Sequence, residues 1–211
     1  MPFFITVIAV GLIVLLSELV WRNKKQGKNR ELGRKIVHMS VGALLAFSPY
    51  FLHWYEIEII SFSFFIVIVI SKSLNIFTSI HAVDRKTFGE IFFALSFGLV
   101  AIVTHEKSIY LAAILLMSIA DGAAAIMGIY FGKNNFYRVF GTRKSVVGTT
   151  SFFVCSLIIL LLVKSQSGLN GTYAYLPAIA VVATVLENVS VWGADDITVP
   201  IVTALLLELI K

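Results

Sequence analysis

Six groups of residues in this chain could do chemistry. The most telling is Ser118-Ile119-Ala120-Asp121-Gly122-Ala123-Ala124-Ala125-Ile126-Met127-Gly128, which sets an acid inside a strongly apolar stretch. A carboxylate in a membrane helix is costly unless it meets a cation, a metal or water, so it reads as functional by default. At helical spacing Ser118, Asp121, Ala125, Gly128 and Gly132 share one face, nearly bare of side chains beside the acid. That bareness suits close approach of either a substrate or a second helix. The Gly128-x-x-x-Gly132 spacing would serve helix packing, or a homodimer, equally well.

The other five groups complement it. Lys144-Ser145-x-x-Gly148 follows Arg143 in a basic loop and runs into an apolar segment. A lysine beside a helix N-terminus is a ready phosphate site, although basic loops are also ordinary at a cytoplasmic surface. Glu187 shares a face with Ala180, Ala183 and Thr184. Asp195 and Asp196 precede Pro200; one is expected to cap the last helix, while the other could join Asp121 as a hard oxygen ligand suited to Mg²⁺. Arg34, Lys35 and His38 open an apolar run, where they either snorkel or bind an anion. Glu90 follows Thr87 at capping-box spacing, so it has a structural reading as strong as its catalytic one. His53, His81 and His105 show no ligand-like spacing.

The elements that must position these groups are membrane helices. The 211 residues are 58% hydrophobic and 14% charged, too apolar for a soluble domain of this length. Repeated apolar runs predict an all-α, polytopic bundle in one transmembrane domain over 1–211, with no soluble domain. About eight spans are expected, at roughly 3–20, 36–52, 57–75, 88–104, 108–130, 147–164, 173–190 and 197–210, or seven if the last is partial. The first run lacks the preceding charges and the cleavage site of a signal peptide. The single Cys155 allows no disulfide framework or thiolate metal site. Segment 21–35 reads as a basic, headgroup-facing cytoplasmic loop. Alternating spans put fourteen of the seventeen Lys and Arg residues on one side, leaving Lys107, Lys164 and Lys211 on the other. That asymmetry predicts cytoplasmic basic loops and both termini outside. The polar residues gather on that same side, as in an enzyme joining a cytosolic ionic substrate to a membrane lipid. A transporter would carry polar groups through the midplane. Nothing points to nucleic acid.

Taken in order, Arg34-Lys35-x-x-His38, Gly89-Glu90, Ala120-Asp121-Gly122-x-Ala124 with Gly128 and Gly132, Lys144-Ser145-x-x-Gly148, and Glu187 followed by Asp195-Asp196 and Pro200 resemble the CTP-dependent lipid kinases. That family includes dolichol, phytol and CTP-type diacylglycerol kinases and is a distant relative of phosphatidate cytidylyltransferase. The likeness runs from about residue 31 to 204, and its specific part is Asp121 to Gly148. It implies a CTP and Mg²⁺ site made from the Asp121 face, the Lys144 loop and the last acidic loop. In that reading Asp121 with Asp195 or Asp196 holds Mg²⁺, and Lys144, backed by Arg143, neutralises phosphates. Arg34, Lys35 and His38, with Gly122, Gly128, Gly132, Ser145 and Gly148, line the nucleotide and headgroup site. Glu187 or Glu90 takes the proton of a polyprenol, prenol or diacylglycerol hydroxyl. One departure is Asp196, where the family tends to carry Asn. The same residues could instead support nucleotidyl transfer to a lipid phosphate, and a lipid flippase is the alternative of another class.

Overall fold

A computed structural model describes residues 1–21, 28–74, 88–167 and 173–211. Its helices are α1 (Pro2–Trp21), α2 (Lys28–Ala46), α3 (Trp54–Leu74), α4 (Gly89–Val103), α5 (Lys107–Leu115), α6 (Asp121–Phe131), α7 (Val146–Ser167), α8 (Leu176–Val189) and α9 (Asp195–Leu209). A π-helical segment, Leu116–Ala120, joins α5 to α6 in one continuous rod. Counting that rod once gives eight helical segments among the described residues, in the predicted order. The expected Thr87 cap, His81 and residues 22–27 of the predicted 21–35 loop lie outside the described residues, while residues 28–35 are not loop but the opening turns of α2.

Among the described residues four segments are long and apolar enough to cross a membrane: Pro2–Val20, Trp54–Leu74, Lys107–Asn134 and Val146–Ser167. Of these, Lys107–Asn134 is 72% buried, against 22–28% for the others, so it is the central post of the bundle. Its Ala-rich faces allow this, because small side chains let helices approach closely. Around it α1 packs on α2, α3 on α4, α7 on α6 and α8, and α9 on α4, α5 and α8. The outer helices turn apolar side chains outward, including Ile8, Leu12, Leu16, Phe62, Ile66 and Leu162, as lipid-facing surfaces require.

α4 and α9 have 15 residues each and α8 has 14. At 1.5 Å per residue they measure roughly 21–23 Å, short of a hydrocarbon core of about 30 Å. In α9, Pro200 lies within the helix and has no N–H to offer the Asp196 carbonyl one turn back. The Ser96 hydroxyl of α4 donates to that carbonyl instead, stitching α9 to α4 where the acidic pair sits.

One departure from the all-helical expectation is a hairpin between α6 and α7. Strands β1 (Phe136–Val139) and β2 (Thr142–Ser145) pair antiparallel around Phe140-Gly141, both at positive φ. The 143–148 region therefore begins as a strand and only then becomes helix. The tightness of the turn explains Gly141 at φ +79°.

Candidate functional site

The two ends of the bundle differ in character. At one end Thr104 binds Glu208, and Lys211 reaches Glu106 at 3.3 Å, in simple tethers between helix ends. At the other end the chemistry-bearing residues converge from α2, α6, the hairpin, α8 and α9.

Asp121 is the first residue after the π segment and is buried. Lys35, also buried, comes from α2 and forms a short ion pair with its Oδ2. His38, one turn further along α2, places Nε2 at 3.5 Å from the same oxygen and 3.7 Å from Asp196 Oδ1. The ring nitrogen also lies 3.1 Å from the Met117 carbonyl oxygen in the π segment. A carbonyl can only accept, so Nε2 carries the hydrogen. Arg34 is turned back to Glu31 of its own helix in a two-point ion pair of 2.6 and 3.1 Å.

Lys144 approaches from the opposite side. Strand alternation sends neighbouring side chains to opposite faces, so Lys144 and Arg143 part company. Lys144 Nζ donates to Glu187 Oε1 in a short ion pair and to the Glu187 carbonyl at 2.8 Å. Arg143 is exposed and stacks over Phe136 at 4.1 Å, so it does not back Lys144 as expected. The hairpin is locked by Tyr137, which pairs with Lys144 across the strands and whose hydroxyl bonds Asn188 of α8 and Thr149 of α7. Tyr137 and Asn188 were missed in the sequence; only the register makes them neighbours of Lys144 and Glu187. Ser145 accepts the Gly148 N–H at 3.1 Å, so it acts as an N-cap for α7.

The acids sort into two sets that share Asp121. His38, Asp121 and Asp196 form one, and Asp121, Glu187 and Asp195 the other; within each, one ligand atom per residue lies within 4.8 Å of the rest. Glu187 Oε2 is buried and has no hydrogen-bond partner among the described residues. A buried unpaired carboxylate oxygen is costly, and a hard cation beside three carboxylates would satisfy it. The second set therefore fits Mg²⁺. The expected capping by Asp195 or Asp196 does not occur: Ala194 is the N-cap, without a side-chain cap, and both acids lie in the first turn of α9. There they face the positive end of the helix. The turn that delivers them is held by Trp192 and Gly193 at positive φ. Gly193 lies against Gly89, where an added Cβ would come within 2.5 Å of the Gly89 Cα.

The bare face beside Asp121 is divided. Ser118, in the π segment, and Gly122 face Gly42 and Met39 of α2, while Gly128 and Gly132, further round the helix, face Ser145 of the hairpin. A Cβ on Gly132 would lie 2.6 Å from the Ser145 Cβ, and one on Gly128 3.1 Å from the Ser145 hydroxyl. Ser145 and Gly148 fill the space expected to receive phosphate beside these two glycines. Glu90 stands apart on α4, 3.9 Å from Lys72. It lines a cavity of about 70 Å³ together with Arg34, His38 and Asp196.

Comparison with known proteins gives one clear relative. Phytol kinase of Synechocystis sp. (strain ATCC 27184 / PCC 6803 / Kazusa) is 32% identical over 204 residues, covering 93% of this chain and 86% of that protein. No family model matches, and no solved structure does.

Proposed function

Because this chain belongs to the lipid kinase family of phytol kinase, we propose that it transfers the γ-phosphoryl group of CTP to the hydroxyl of a membrane prenyl alcohol of the phytol type, with Mg²⁺. One observation carries the reading. Two lysines, Lys35 and Lys144, converge on carboxylates that also form two candidate cation sets around Asp121. Phosphoryl transfer asks mainly for positioning and charge neutralisation, and this cluster supplies both signs of charge at one point.

In this mechanism Asp121, Glu187 and Asp195 would hold the cation, which would supply positive charge against the triphosphate. Lys35 and Lys144 turn from their carboxylates toward the phosphates as the nucleotide enters. Glu187 is then a ligand, and Glu90, on the wall of the cavity, takes the proton of the alcohol. The alcohol oxygen bonds to the γ-phosphorus as the β–γ bridge breaks, and CDP leaves. The basic end of the bundle faces the cytoplasm, where CTP is found.

Membranes carrying the protein, given phytol and CTP labelled at the γ or the α phosphorus, test this. Label should pass to lipid from the γ position. Lipid label arising from the α position would establish nucleotidyl transfer and refute the kinase mechanism. Label passing from ATP but not from CTP would refute the choice of donor.

A further inference from the structure

The cavity beside Glu90 lies in a seam. α1 packs against α2 and α3 against α4, and the cavity runs between the two pairs. Its walls change character along their length. On α2 the lining residues Arg34, Val37 and Val41 recur at helical spacing, and on α3 Ser71, Ile68 and Phe64 do the same. Both series pass from polar to apolar in the same direction, and Val14 of α1 and Phe93 of α4 close the apolar part. From Arg34 to Val41 is seven residues, or about 10 Å of helix. His38 and Asp196 line the cavity and also belong to the acidic cluster at Asp121, so its polar end opens on the reaction site. Val67, on the wall, is 52% exposed on the outer face of the bundle.

We propose that this seam binds the hydroxyl-bearing end of a single-chain lipid alcohol. The hydroxyl lies at the Glu90 and Asp196 end, the first part of the chain lies between Val41 and Phe64, and the remainder leaves between α1 and α3 into the bilayer. A slot of about 10 Å is a third of the hydrocarbon core of about 30 Å, so it holds only part of a long chain. The consequence is a specificity rule: structure near the hydroxyl is read, and total chain length is not. This inference rests on the lipid kinase reading for its chemistry, and on the cavity alone for its location.

Two measurements test it in lipid nanodiscs. The first uses a long-chain alcohol with a photoreactive diazirine among its first carbons, with labelled residues located by mass spectrometry. Label should fall on α2 and α3 between residues 37–41 and 64–68 and be displaced by unlabelled phytol. Label confined to α7 and α8, or undisplaced by phytol, would overturn the slot. The second compares Val67→Trp with Val181→Trp, an equivalent addition on an exposed position of α8 outside the seam. Val67→Trp should lower kcat/KM for long-chain alcohols by about tenfold or more with the KM for CTP unchanged, and Val181→Trp should change neither. Equal activity of the two variants would also overturn the slot. If label falls in the seam but no phosphate passes from any nucleotide, the slot stands and the kinase reading falls. If phosphate passes and label falls elsewhere, the kinase reading stands and the slot falls.

Discussion

Replacing Asp121 with Ala separates what this acid does for folding from what it does for catalysis. Its Oδ2 is the ion-pair partner of Lys35, and both residues are buried. Removing one member of a buried pair leaves an uncompensated charge and typically costs about 3–5 kcal/mol. Here part of that is returned, because Asp121 also sits within 4.8 Å of ligand atoms from Asp195, Asp196 and Glu187, and its loss relieves their repulsion. The expected cost is therefore at the low end, about 3 kcal/mol. At about 2–4 °C per kcal/mol, a chain of this length loses roughly 6–12 °C in Tm. Fluorescence-monitored unfolding in detergent measures it. A second variant, Lys35→Met with Asp121→Leu, removes both charges and fills their volume. Such exchanges are often neutral or stabilising, so its Tm should return to within a few degrees of the parent. Phosphoryl transfer should stay lost in both variants, by about 10³-fold or more, the scale of losing one charge-stabilising group in this chemistry. Recovery of activity along with stability in the double variant would show that Asp121 is purely structural.

Other outcomes follow from the same geometry. Lys144→Met leaves Glu187 buried without its cation and should lower both Tm and activity, whereas Arg143→Ala, at an exposed site facing away, should change kcat/KM by less than about threefold. Gly42→Ala places a methyl group 2.2 Å from the Ser118 Cβ and should destabilise by about 1–3 kcal/mol, with Ser118→Gly restoring the loss in thermal unfolding. Chelation of divalent cations should abolish label transfer, and Mg²⁺ should restore it better than Ca²⁺, which prefers more ligands at longer distance.

Much of this arrangement was legible in the sequence. Apolar runs of membrane length, interrupted by basic loops, placed the eight helical segments in order. The rarity of acids in such runs singled out Asp121 and Glu187. Three features were not legible, each for a physical reason. The π segment, Leu116–Ala120, breaks the 3.6-residue period between Ser118 and the residues of α6, so a face drawn by that period across it does not hold. The hairpin strands are four residues each, too short for alternation to stand out from a polar loop, so the separation of Arg143 from Lys144 went unseen. The partners of Lys35 and Lys144 lie 86 and 43 residues away, and only packing of the helices makes those pairs.

The short helices carry a consequence for the lipid around the protein. α4, α8 and α9 cover roughly 21–23 Å where the bilayer offers about 30 Å of hydrocarbon, and α4 and α9 begin, and α8 ends, beside the site. Lipid facing this side must thin, or water and headgroups must dip, to meet those ends. Under the proposed kinase mechanism, bilayer thickness would then act on catalysis. A thin membrane would bring its interface, and with it the alcohol hydroxyls and the aqueous nucleotide, down to the acids. A thick or sterol-rich one would hold both away at a cost that grows with each ångström of mismatch.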